Sequence, residues 1–170
     1  LYSGPRRHPA AEAATGATYV PFPELLQKSD FISIHAPLND ATRGLFDRAA
    51  LAQMPAHAIL INTARGPIVQ TDALVAALQA GAIAGAALDV TDPEPLRADH
   101  PLLGLPNCLV VPHIASATHA TRSRMAEIAA RNILAGLQGA PLPASVNPAV
   151  QGTGRQALPR DYLLGPIEEA

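Results

Sequence analysis

Three side chains of this 170-residue chain have types and settings that could move a proton beside a carboxylate. Glu94 stands between two prolines in DPEP, His113 follows the apolar run CLVVP, and Arg65 sits between INTA and a glycine. A guanidinium grips a carboxylate through two parallel hydrogen bonds. An imidazole gives or takes a proton near neutral pH. A carboxylate bonded to that imidazole fixes its tautomer and favours its charged form. Each residue also has a plainer reading: a solvated histidine, an arginine in an ordinary turn, an exposed turn glutamate. Their joint placement at strand ends is what raises the chemical reading above these.

The elements that must position them follow from apolar patterning. Residues 31–36, 58–64, 84–90 and 108–113 are short, nearly continuous apolar runs, as strands covered on both faces require. Between them, one helix is predicted from Asp47, a suitable N-cap, to Pro55, and another from about Thr71 to Gly81. Strands alternating with helices predict an α/β, doubly wound parallel sheet. In such a sheet each strand ends at the ligand crevice. That edge collects His35 and Pro37, then Asn62 to Gly66, then Asp89 and Glu94, then His113 and Ser116. A longer helix is predicted over 118–138, with an apolar stripe of Met125, Ile128, Ala129, Ile133 and Leu137 and Glu127 four residues before Arg131. Residues 149–170 lack periodicity and read as an irregular tail. The predicted division is 1–117, 118–148 and 149–170.

Composition narrows the partners. The chain carries 12 Lys and Arg against 14 Asp and Glu, a formal charge of −2, which offers no general case for nucleic acid or an anionic membrane. No apolar run is long enough to span a bilayer. The single cysteine, Cys108, excludes an internal disulfide and fits a reducing compartment. Strand alternation sets Cys108 and His113 on opposite faces, so Cys108 reads as a core residue rather than a nucleophile. His100 and His119 read as turn and helix-start residues. The six histidines show neither H-E-x-x-H nor any companion C-x-x-C, so no metal site is expected. No G-x-G-x-x-G occurs in the chain.

The blocks SDFISIHAPLNDATRGLF, INTARGPIV, ALDVTDPEPL and NCLVVPHIASAT resemble the D-isomer-specific 2-hydroxyacid dehydrogenases, and within them the glyoxylate/hydroxypyruvate reductase branch. The likeness covers residues 1 to about 148 in order. It implies a Rossmann-like nucleotide-binding domain, incomplete at its N-terminus, with the glycine loop upstream of Leu1 and a return segment toward a substrate domain. By this resemblance Arg65 binds the substrate carboxylate, His113 is the acid/base and Glu94 its partner. Pro37, Thr63, Ala64 and Asp89 line a nicotinamide cofactor, and Ser116 reaches substrate or cofactor. Ala115 departs from the glycine usual after His-Ile.

The resemblance further implies reversible reduction of a small 2-oxo acid by a cytoplasmic homodimer. It places the end of the ribose-binding strand at Leu1-Tyr2. Ser3, Arg6 and Arg7 follow, with no acid before Glu12, so NADPH is expected over NADH. A cofactor-sensing corepressor shares the fold and the trio, and remains the alternative, together with an inactive fragment.

Overall fold

A computed structural model describes residues 1–150, so the tail expected over 149–170 lies almost wholly outside the described residues. The chain forms two compact units, Leu1–Ala115 and Ser116–Ala170. In the first, β1 (Phe31–Ile34), β2 (Ile59–Asn62), β3 (Gly85–Leu88) and β4 (Cys108–Val110) make one sheet in the order β1-β2-β3-β4. All three pairings are parallel. The strands are shorter than the apolar runs that predict them. At the C-terminal edge the chain leaves the ladder to build loops, and those loops carry the candidate residues.

The register aligns Ile32, Leu60 and Ala86, then Ile34, Asn62 and Leu88, on one face. That face is buried. The helices α2 (Phe22–Lys28), α3 (Arg48–Leu51), α4 (Thr71–Gln79) and α5 (Pro101–Gly104) press Leu26, Leu51, Leu74, Leu78 and Leu102 into the same core. Leu60 and Leu26 have no exposed surface at all. Burying such a side chain contributes about 1.5–3 kcal/mol, and aliphatic residues supply nearly all of this core. The opposite face is different from the two-sided cover expected: Phe31 is 67% and Leu109 61% exposed, and Ser33 is exposed too. Helices α2 to α5 all put their buried side chains into the core cluster on the first face.

Local chemistry sets the helix ends. Asp47 caps α3 by accepting the Ala50 N–H at 2.8 Å, although the helix closes at Leu51 rather than at Pro55. Gly81, at φ +63°, turns the chain out of α4 in a conformation that side chains resist. His100 caps α5, its Nδ1 accepting the Leu102 N–H at 3.2 Å. Ahead of the sheet, α1 (Pro9–Thr15) lies between Tyr2 and Tyr19, which form an isolated parallel bridge.

The second unit is built on α6 (His119–Leu137), capped by Thr118 and left through Gly139 at φ +68°. Glu127 pairs with Arg131 at 2.6 Å and with Arg124 at 3.1 Å. Within the described part of this unit the apolar stripe is only partly covered: Ile128 and Leu137 are half-buried, and Met125 is 58% and Ile133 61% exposed. Among the described residues no helix is long and apolar enough to cross a membrane.

One glycine in the first unit has no room for a side chain. A Cβ on Gly66 would overlap the carbonyl of Thr91, backbone against backbone. Gly66→Ala is therefore expected to cost about 1–3 kcal/mol, as overpacking does. Gly4, with nothing near it, is the control: Gly4→Ala should stay within about 0.5 kcal/mol. Denaturant midpoints check both, and equal midpoints for the two variants would show that the Thr91 carbonyl moves freely aside.

Candidate active site

The site is assembled from three loops at the C-terminal ends of neighbouring strands. The first follows β2. Asn62 is 1% exposed, and its side-chain amide meets the loop at both ends: Nδ2 donates to the Arg65 carbonyl at 2.9 Å and Oδ1 accepts the Ala64 N–H at 3.0 Å. A buried amide with both ends bonded avoids the desolvation penalty of an unpaired one. The loop is thereby folded back on the strand end, and Arg65 projects exposed, with Nη1 donating to the Ala64 carbonyl at 2.6 Å.

The second loop follows β3. Asp89 is buried, and its two carboxylate oxygens accept the N–H groups of Ile114 at 2.6 Å and Ala115 at 3.0 Å. Two residues on, the Thr91 N–H donates to Glu94 Oε2 at 3.2 Å. The peptide bonds before Pro93 and Pro95 are cis. The third loop leaves β4 through Pro112 into His113, whose φ of +54° lies in the left-handed region. A non-glycine residue there is uncommon and is held by its surroundings. Here the holders are its own N–H to the Val111 carbonyl at 3.0 Å and the grip of Asp89 on the next two amides.

These loops bring Glu94 Oε1 to 2.7 Å from His113 Nδ1. Both side chains keep access to solvent. The hydrogen bond from His113, the Thr91 amide and the positive charge of Arg65 together hold the Glu94 carboxyl below the usual glutamate range. An ionised carboxylate at Nδ1 keeps a proton on that nitrogen, and Nε2 is the ring atom left for a substrate. A cavity of about 490 Å³ lies against the pair, walled by Leu96, Leu103, Val110 and Val111. Together these groups offer a cationic fork, a proton donor and an apolar wall.

The other expected residues are distributed as follows. Pro37 is exposed after β1, its carbonyl accepting the Thr42 hydroxyl at 2.6 Å. Thr63 is exposed and Ala64 half-buried in the Arg65 loop. Ser3 lines a groove of about 370 Å³ with Tyr2 and with Phe31 and Ser33 of β1. Arg7 forks onto Glu12 at 2.6 and 3.1 Å, and the Tyr2 hydroxyl donates to the same carboxylate at 2.6 Å. The Arg7 and Tyr2 bonds draw the Glu12 carboxyl down to about 2. Arg6 is exposed and has no bonded partner among the described residues. Ser116 opens the second unit and is exposed. Cys108 is half-buried beside the core, and burial pushes its thiol up.

Sequence reasoning passed over Asn62 as a functional group and took Asp89 only as a cofactor residue. A polar side chain closing an apolar run was the available signal. That both are spent on backbone groups of the neighbouring loop shows only in three dimensions.

Known proteins carry the same arrangement of elements. Residues 1–115 match the family model described as D-isomer specific 2-hydroxyacid dehydrogenase, NAD binding domain. Glyoxylate/hydroxypyruvate reductase B of Citrobacter koseri is 48% identical over 152 residues, which is 89% of this chain and 47% of that protein. The crystal structure of the TT0316 protein from Thermus thermophilus superposes with a TM-score of 0.80 at 46% identity, over 86% of this chain and 45% of the other. D-lactate dehydrogenase with NAD+ from Lactobacillus jensenii gives a TM-score of 0.77 at 32% identity, over 85% and 47% of the two chains. The chain thus spans about half the length of the relatives it matches. With its parallel sheet, its loop-borne Arg65, Glu94 and His113, and these likenesses, the chain belongs to the D-isomer specific 2-hydroxyacid dehydrogenase family through that family's NAD-binding domain.

Proposed function

We propose that the complete protein reduces a small 2-oxo acid of the glyoxylate or hydroxypyruvate type to the D-2-hydroxy acid, reversibly, at the loops described above. The observation that carries this reading is the 2.7 Å contact between Glu94 and His113, on the same sheet edge as the exposed fork of Arg65. Arg65 holds the substrate carboxylate and its charge polarises the neighbouring ketone. His113 delivers a proton from Nε2 to the oxygen of that ketone, and Glu94 steadies the imidazole while it carries charge. A nicotinamide cofactor supplies the hydride. The strand-end loops suit such a group: they lie along the C-terminal edge of a parallel sheet, where dinucleotides bind. Pro37, Thr63, Ala64 and Asp89 are the residues assigned to line it, Asp89 through the backbone that it orders, and Ser116 remains part of the proposal. The reductase name of the Citrobacter koseri relative supports an enzyme over a cofactor-sensing binding module. A cytoplasmic homodimer belongs to the same reading.

NADPH is the proposed cofactor, and the structure separates the two arginines put forward for its 2′-phosphate. Arg7 is engaged with Glu12, whereas Arg6 is free of such a bond among the described residues. With Ser3, Arg6 is therefore the stronger candidate.

The acid/base role is tested on the complete protein. His113→Ala should lower turnover of glyoxylate by about 10²–10⁴-fold while cofactor binding persists. The depressed Glu94 carboxyl adds a pH prediction. The pair stays intact as pH falls through the ordinary glutamate range and is lost only below it. In a carboxyl-detected NMR titration the Glu94 midpoint should rise in His113→Ala, and an unmoved midpoint would show that the two do not interact. For the carboxylate grip, Arg65→Lys should fail to restore turnover, because a point charge cannot copy a planar fork. Parent-like kinetics for the lysine variant would reduce the grip to simple charge.

Cofactor choice is read as the ratio of kcat/KM with NADPH to that with NADH. Arg6→Ala should lower the ratio by about 10–150-fold, the value of one charge-assisted hydrogen bond, and Arg7→Ala by less. A parent that favours NADH, or a ratio indifferent to Arg6, would sink the NADPH proposal.

A further inference from the structure

The loop that presents Arg65 and the turn that presents Glu94 meet backbone to backbone at Gly66 and Thr91. Among the described residues, one hydrogen bond joins them beyond the strands: Thr71 Oγ1 donates to the Asp92 carbonyl at 2.7 Å, across 21 residues of sequence. Thr71 is the first residue of α4 and is half-buried. Its hydroxyl has no other partner there, and the helix does not use it as a cap. On the far side of Asp92 the turn holds itself together: Thr91 Oγ1 donates to the Pro93 carbonyl at 2.9 Å, and the Thr91 N–H to Glu94 Oε2 at 3.2 Å. Asp92 through Pro95 are all exposed, so packing does little to fix this segment. The Thr71 bond is its tie to a rigid element.

We propose that Thr71 is a positioning residue for the Glu94–His113 pair: by pinning the Asp92 carbonyl to the start of α4, its hydroxyl sets where the Glu94 carboxylate stands relative to the imidazole. The proposal rests on the acid/base reading of that pair. Thr71 acts through the turn and not on the reacting atoms. Its loss should therefore disturb proton transfer more than the grip on the substrate carboxylate, since Arg65 is held separately by Asn62.

The test compares Thr71→Val and Thr71→Ser with the unaltered complete protein. Hydrogen exchange is followed at the Thr91 and Leu78 amides, and steady-state kinetics are measured with glyoxylate and NADPH. A net hydrogen bond corresponds to about 2–12-fold in an equilibrium. Thr71→Val should speed Thr91 exchange by that order and lower kcat by a similar factor, with KM for glyoxylate nearly unchanged. Leu78, in the body of α4, should exchange as before, and Thr71→Ser should behave like the parent. Unchanged Thr91 exchange in Thr71→Val overturns the proposal. So does a serine variant as impaired as the valine variant, or a loss confined to KM. Faster exchange at Leu78 as well would trace the effect to the helix and overturn it too. An unaltered protein that turns over neither glyoxylate nor hydroxypyruvate would instead remove the acid/base reading, while Thr91 exchange still decides whether Thr71 holds the turn.

Discussion

Nothing larger than a hydrogen atom fits between the α-carbon of residue 66 and the carbonyl of Thr91. That constraint lets the loop after β2 and the loop after β3 lie against each other. The strands themselves are one sheet spacing apart, about 4.8 Å, and loops with side chains between them would splay. With glycine at the contact, the residue before it, Arg65, and the turn after Thr91, with Glu94, share one small region of the sheet edge. The field of Arg65 at Glu94 is a direct consequence.

The same edge is ordered by two buried polar side chains spent on backbone groups. Asn62 closes the Arg65 loop, and Asp89 holds the amides that follow His113. Burying an amide and a carboxylate is unfavourable unless their partners are complete, and among the described residues no buried side-chain polar atom lacks one. A strand-end carboxylate that accepts two N–H bonds supports the uncommon backbone of His113 from one side, and Glu94 engages its ring from the other. Support from buried groups on one loop and an exposed, lightly tied turn on another is a division of labour that suits the proton donor proposed above.

The core explains why so few aromatic residues suffice. Ile32, Leu60 and Ala86 line up across the sheet, Ile34 and Leu88 lie on the same face two residues on, and all meet leucines from α2, α4 and α5, so one face is filled by aliphatic side chains at close packing. The asymmetry between this face and the one carrying Phe31, Ser33 and Leu109 is a property of the assembled layers. Apolar runs alone suggested cover on both sides, because a run reports the chemistry of a strand and not which helices reach it.

What the sequence determined by itself is what short-range physics controls. Apolar runs placed four strands, the apolar stripe over 118–138 placed α6 to within a residue at each end, and Asp47 and Gly81 marked their helix ends. The trio was legible because chemically able residues stood at strand ends, and the ordered blocks around them carried the family. The short helices α1, α2 and α5 escaped notice, since segments of four to seven residues show too little periodicity. Tertiary structure alone decided the rest. It brought Glu12 back onto Arg7, which leaves Arg6 as the free cation of that loop among the described residues. It turned Asn62 and Asp89 inward to hold loops and tied Asp92 to Thr71. Each of these depends on partners that the chain brings together only when strands and helices have packed, and no local pattern of residues records where such partners will be.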